Sequence, residues 1–348
     1  MSQPLTAFCQ VPSKLILCGE HSVLYGSTAL SLAIDMPTTC RIEFSAAEQN
    51  DSPPLQRFTI ALPDLNVHGE TDEKQWRQEL QEIDKRYRAF QSAPEQVPAP
   101  LTHPQQLILL CLYQIDQIHP LPSGLWQIKI HSENWLGRGM GSSAAVILAT
   151  LQGIAQIVQL ELSRERLLQM ATEVECYQHG RSSGLDPATL LAKTVIEYKI
   201  PGLLEPLNLS EFPLQAWLID TGQPISNTGQ CVLQVREQFA DNDALWHEFA
   251  QVVQQIKFAW QRNQQTEFVE GIRHNQRLLE QIGVVPARIR TFIRKLDSLS
   301  EHACAKVCGA GAVTGDAAGV VVYFGEQAPD KLCHSMGFKS RPLELVHP

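Results

Sequence analysis

Residues Asn134 to Leu160 read NWLGRGMGSSAAVILATLQGIAQIVQL, and the fold turns on this stretch. Glycines stand at every second position, Gly137, Gly139 and Gly141, followed by Ser142, Ser143 and an almost wholly apolar run. Glycine adopts positive φ without strain and lets other groups come close to the backbone. The apolar run behind it needs burial on nearly every side, which predicts a core helix beginning at the two serines. Free amides and the positive end of the dipole make such a helix start an anion site. The spacing matches neither GxxxxGK[ST] nor GxGxxG. Two readings stay open on spacing alone: a phosphate cradle, or an ordinary helix start with glycines in its turn.

Downstream, Ser163 is placed to cap a second helix from Arg164 to about Tyr177. That helix runs into HGRSSGLDPATLL, where Asp186 precedes Pro187. An acid there serves either as a general base or as the cap of the next helix, with proline at its first position. Glu175 lies eleven residues earlier. It is either a solvated helix acid or one of the few carboxylates that Mg²⁺ requires besides phosphate oxygens.

Upstream, PSKLILCGEHSVLYG spans Pro12 to Gly26. The run Leu15–Cys18 predicts a buried strand broken by Gly19, and two further strand-like runs cover Ala29–Ile34 and Thr38–Phe44. Lys14 at the strand start, and Glu20 with His21 after it, read singly as solvated or mutually satisfied residues. Residues 48–104 are polar, with a charged helix expected over Asp72–Phe90 and a Pro- and Gln-rich loop over Gln91–Pro104. An apolar helix is expected over His103–His119, and Leu125–His131 alternates like a half-buried strand. Past residue 195 a strand pair is expected around Val195–Tyr198 and Ala216–Ile219. Three or four helices follow up to Leu299, and KVCGAGAVTGDAAG then feeds a strand from Gly319 to Phe324. The best boundary lies at Lys193–Pro206, giving domains 1–195 and 196–348.

The chain has 348 residues, 44% hydrophobic and 19% charged, enough for two ordinary domains with a real core. Disorder is excluded by that composition. A net charge of -9 excludes nucleic-acid binding through a broad basic field. No stretch has the ~18 apolar residues of a membrane span, and the first ten residues lack a secretory pattern. Nine scattered cysteines with no CxxC pair argue for reduced thiols and a cytoplasmic setting, without a disulfide framework or a zinc site.

Three segments taken together, Pro12–Gly26, Leu136–Ala145 and Lys306–Gly319, resemble the GHMP kinase superfamily in order and position across nearly the whole chain. The GEHSVLYG stretch and ECYQHGRSSGLD, Glu175 to Asp186, are similar to its mevalonate kinase branch. The resemblance implies an α+β fold in two lobes, an N-terminal mixed α/β lobe that binds ATP and a C-terminal ferredoxin-like α/β lobe. It implies ATP-dependent phosphorylation of mevalonate to 5-phosphomevalonate in isoprenoid precursor synthesis, with Mg²⁺, and a homodimer without nucleic-acid or membrane partners.

Residue by residue, the resemblance makes Asp186 and Lys14 catalytic and Glu20, His21 and Thr228 substrate-binding. Gly137, Arg138, Gly139, Met140, Gly141, Ser142 and Ser143 would hold the ATP phosphates, and Ser143 with Glu175 the metal. Departures from the pattern include Trp135, Met140, Ser182 in place of a common proline, and Cys308 with Ala312–Thr314 interrupting the third glycine run. They keep alternatives open: a phosphomevalonate or sugar kinase of the same superfamily, or a catalytically silent paralogue that binds ATP or a metabolite.

Overall fold

The apolar run behind Ser142 is a helix buried at Ala144, Ala145, Ile147, Leu148, Leu151 and Ile154, and one part of the structure is built around it. The structure, a computed structural model, describes residues 3–47, 56–92, 99–135, 137–180, 182–200, 203–207, 209 and 211–346. Parts of the expected 91–104 loop and of the 193–206 boundary, together with Leu136 and Arg181 of the motifs, lie outside the described residues.

The chain divides into two compact units that interleave along the sequence. One comprises Met1–Ser13, Met36–Asn134 and Gly141–Leu191, the other Lys14–Asp35, Trp135–Met140 and Ala192–Pro348. The last change of unit comes after Leu191. The earlier changes come from long strands. Strands β1 (Leu5–Cys18) and β2 (Ala29–Ala46) each contribute to both units. The two runs expected as separate strands, Ala29–Ile34 and Thr38–Phe44, are therefore one strand, continuous through Pro37.

In the first unit, β3 (Gln56–Leu62), β4 (Val67–Asp72) and β5 (Gly124–Ser132) join the second half of β2 in the order β4-β3-β5-β2. The β3–β5 pair is parallel and the others antiparallel. Alternation in β5 buries Trp126, Ile128 and Ile130, as its sequence predicts. The helices are α1 (Glu73–Ser92), α2 (Gln105–Asp116), α3 (Ser142–Ile157), α4 (Arg164–His179) and α5 (Leu185–Ala192). The charged α1 buries only Trp76 and Ile83, so it presents a solvated face. Trp76 meets Phe58 edge-on at 5.0 Å, and Trp126 meets Phe44 at 4.8 Å, filling the space around α2 and α3. Ser163 caps α4 by accepting the Arg166 amide.

In the second unit, β6 (Val195–Lys199) pairs with the start of β2 and with β7 (Leu203–Leu207). Strands β8 (Gln215–Asp220), β9 (Cys304–Val307), β10 (Val320–Gly325) and β11 (Lys339–Pro342) form a separate antiparallel sheet in the order β11-β8-β10-β9. The expected pairing of Val195–Tyr198 with Ala216–Ile219 does not occur. Both segments are strands, but each finds partners far away in sequence. The helices are α6 (Thr228–Phe239), α7 (Asp243–Gln261), α8 (Gln265–Gln281), α9 (Ala287–Asp297) and α10 (Asp330–Met336). Helices α8 and α9 pack on β9. Phe268 of α8 meets Phe324 of β10 at 90° and 5.0 Å.

Asp297, at the end of α9, is half-buried and accepts the Ala305 amide at 2.9 Å. Burial pushes its pKa up to about 6. The folded chain therefore binds this proton more tightly than the unfolded chain, whose Asp titrates near ~4. Asp297's unfavourable contribution is absent below pH ~4, grows between ~4 and ~6 and is complete at pH 7. Asp297→Asn keeps an acceptor for Ala305. It is expected to raise stability by about 1 kcal/mol at pH 7 and by almost nothing at pH ~3. Urea unfolding of both proteins at the two pH values checks this, and an equal effect at both would refute it.

All nine cysteines are free thiols, eight of them buried. Burial lifts the pKa of Cys40 to about 12 and those of Cys308 and Cys333 to about 11. Among the described residues, no helix is long and apolar enough to cross a membrane.

Candidate functional site

The glycine-rich turn takes the conformation its composition predicts. Gly137, Gly139 and Gly141 have φ of 72°, 76° and 71°, a region that side-chain-bearing residues avoid. Gly141 is the cap residue of α3 and has no side chain with which to cap it. Ser142 and Ser143 stand in the first turn, half-buried. A buried helix thus begins on a glycine turn with no N-cap side chain, a local geometry suited to an anion site.

Glu175, near the end of α4, is only 4% exposed. Ser182 Oγ donates to its Oε2 at 2.7 Å and accepts from the Gly184 amide at 3.0 Å. The solvated-acid reading of Glu175 therefore fails. Asp186 lies in the first turn of α5, which begins at Leu185, and Ser183 receives the Leu185 amide. Pro187 is the third residue of that helix. The first unit thus holds Gly141, Ser142, Ser143, Glu175 and Asp186, with Ser182 linking Glu175 to the turn before Asp186.

The second unit holds Lys14, Glu20, His21, Gly137, Arg138, Gly139, Met140 and Thr228. Lys14 is 5% exposed, against the solvated reading, and its amide donates to the Met140 carbonyl at 3.0 Å. Glu20 forms a wholly buried ion pair with Lys306. Burial opposes the Lys306 charge, but the Glu20 carboxylate keeps its pKa above the ordinary lysine value. Burial lowers the His21 pKa to about 4, so the imidazole is neutral at pH 7. Its Nε2 lies 3.1 Å from the Ala310 carbonyl, an acceptor, so Nε2 carries the hydrogen. Nδ1 is then a bare acceptor. His21 Nδ1 and Glu20 Oε2 are buried with no hydrogen-bond partner. Unmet buried acceptors cost free energy and call for a donor.

Arg138 is committed elsewhere than its sequence position suggests. Its guanidinium holds Asp220 through Nε–Oδ1 at 2.7 Å and Nη2–Oδ2 at 3.4 Å. Thr221, next in sequence, bonds Gly319 at the end of the third glycine run through its amide and its hydroxyl. That run is anchored despite its interruption. Ala312 donates to the Val284 carbonyl at 2.8 Å, and Val313 to the buried Ser226 hydroxyl at 3.0 Å. Gly311 has φ 69°, and a Cβ there would strike the Val284 carbonyl oxygen. Thr228 is exposed at the first position of α6, after an Asn227–Gln230 capping box.

Sequence reasoning missed Lys306, Asp220, Thr221 and Ser226 as partners. Lys306 stood inside a quoted motif, but nothing local marks a charge whose partner lies 286 residues away.

Hard oxygen donors such as Glu175 and Ser143 suit Mg²⁺, which takes one or two protein oxygens and leaves the rest to phosphate and water. No group of three or more His, Cys, Asp or Glu among the described residues forms an all-protein cage. The uncapped start of α3 suits the phosphates.

The chain resembles known proteins in sequence and in fold. Residues 106–193 match the family described as GHMP kinases N terminal domain. The mevalonate kinase of Pyrococcus abyssi is 32% identical over 240 residues, covering 68% of this chain and 63% of that protein, so the matched stretch spans less than two thirds of the relative. The crystal structure of the Methanococcus jannaschii mevalonate kinase superposes with a TM-score of 0.76 at 20% identity over 99% of both chains. That of L. major mevalonate kinase in complex with R-mevalonate gives 0.72 at 18% identity, covering 100% of this chain and 99% of that one.

Proposed function

The chain belongs to the GHMP kinases through their N-terminal domain and has that family's fold, and from this premise we propose that it transfers the γ-phosphoryl group of ATP to the primary alcohol of mevalonate. The observation that carries the reading is the run of three positive-φ glycines leading into the start of the buried helix α3. It supports phosphate binding by backbone amides in a chain whose net charge of -9 repels anions at long range.

In this reading Asp186 takes the proton from the substrate hydroxyl as its oxygen attacks the γ-phosphorus. The bond from that phosphorus to the bridging oxygen breaks, and ADP leaves. Lys14 offsets the charge on the transferring group. The amides of residues 137 to 143 hold the ATP phosphates. Arg138 takes part through its backbone, since Asp220 engages its guanidinium. Ser143 and Glu175 would hold Mg²⁺, which would supply positive charge beside the phosphates. Positioning and charge compensation of this kind are what phosphoryl transfer chiefly needs. Glu20 and His21 are assigned to mevalonate on resemblance, and their acceptors Glu20 Oε2 and His21 Nδ1 are buried. Thr228 is assigned to the substrate on resemblance alone. So are the homodimer, which light scattering tests, and the cytoplasmic setting.

ADP release by the purified protein, compared across mevalonate, phosphomevalonate, galactose and homoserine, tests the proposal. Mevalonate is expected to give the highest kcat/KM. Turnover on another alcohol with none on mevalonate would overturn the substrate assignment. Nucleotide binding without turnover on any alcohol would favour the silent paralogue.

A further inference from the structure

Ser182 occupies a position where the resembling kinases commonly carry proline, a residue that can donate no hydrogen bond. Here its hydroxyl has two partners of different kinds. It donates to Glu175 Oε2 at 2.7 Å and accepts from the Gly184 amide at 3.0 Å. A hydroxyl has one proton, and a carboxylate only accepts, so the directions are fixed. Glu175 is buried, and a charge-assisted bond is worth more there than in water. Gly184 is next to Leu185, where α5 and the turn bearing Asp186 begin.

We propose that Ser182 is a positioning residue for the metal, orienting the Glu175 carboxylate and tying it to the turn that carries Asp186. The inference rests on the reading of Glu175 as a Mg²⁺ ligand and goes beyond it. A hydrogen bond to one carboxylate oxygen fixes the rotation of the group and disperses part of its charge before any metal arrives. The order imposed on the ligand then need not be gained at binding. Bonds of this kind behind metal ligands commonly alter affinity by about 10- to 100-fold. In this chain a side chain supplies at the turn what rigid proline supplies by restricting the backbone, and it adds a direct hold on the ligand.

The test is manganese(II) binding to the full-length protein in the presence of a non-hydrolysable ATP analogue, read by electron paramagnetic resonance. Ser182→Ala is expected to weaken manganese binding about 10-fold. Ser182→Thr and Ser182→Val have nearly the same shape and differ in the hydroxyl, so the threonine variant is expected to bind like wild type and the valine variant like alanine. Thermal midpoints and affinity for the metal-free analogue are expected to stay level across the Thr/Val pair. Equal manganese affinity in the Thr and Val variants overturns this inference while leaving Glu175 a ligand. A wild type that binds no manganese with the analogue, or a Glu175→Gln variant that binds it as tightly as wild type, overturns the metal reading and this inference with it.

Discussion

Asp186→Asn is expected to lower kcat for mevalonate phosphorylation about 1,000-fold while leaving nucleotide affinity within a factor of about three. The amide has the same size and shape as the carboxylate, and the first turn of α5 accommodates either. Ser183, not Asp186, receives the Leu185 amide, so that helix start keeps its bond in the variant. What disappears is the capacity to accept a proton from the substrate hydroxyl as the new O–P bond forms. General bases contribute roughly 10²- to 10⁴-fold. Single-turnover ADP formation, with calorimetric titration of the nucleotide, separates chemistry from binding. A variant that keeps a tenth of the wild-type rate would show that Asp186 is not the base.

Lys306→Met is expected to destabilise the fold by about 3–5 kcal/mol, and Glu20→Gln in the same background to recover most of the loss. The pair is wholly buried, and removing the ammonium leaves a carboxylate without its counter-charge in a medium that solvates it poorly. That penalty is a large share of the ~5–15 kcal/mol that ordinary domains possess. Replacing both charges removes the electrostatic problem. The native pair thus adds little net stability, and its value lies in joining the turn after β1 to the third glycine run. Urea unfolding of the four proteins of the double-mutant cycle measures the coupling directly. Independent, additive effects of the two substitutions would contradict it.

What the sequence made legible was set by local physics. A run as apolar as Ala144–Leu151 can only be a buried helix, and alternation in Leu125–His131 can only be a strand with one covered face. Ser163 has a cap's chemistry, and it caps. The failures share a different cause. That β2 continues through Pro37, or that Val195–Tyr198 and Ala216–Ile219 enter separate sheets, depends on which distant strands lie alongside.

At the candidate site, residue types were legible and partners were not. Glu20 and His21 were marked by their setting after Gly19, but their bonds to Lys306 and Ala310 span nearly the full chain. Arg138 shows the same limit: its place in the glycine turn suggested a phosphate ligand, and Asp220 had already claimed its guanidinium.

The buried thiols give the folded chain a built-in clock. A cysteine with a pKa near 11 is thiolate about once in 10⁴ at pH 7, and its burial also keeps an alkylating reagent away. Cys308 and Cys333 in one unit, and Cys40 in the other, therefore react only when the backbone around them opens. Half-buried Cys176 is the exception and is modified first. The order in which the remaining sulfurs take up label is the order in which the segments around them open, read by mass spectrometry without any added probe or mutation.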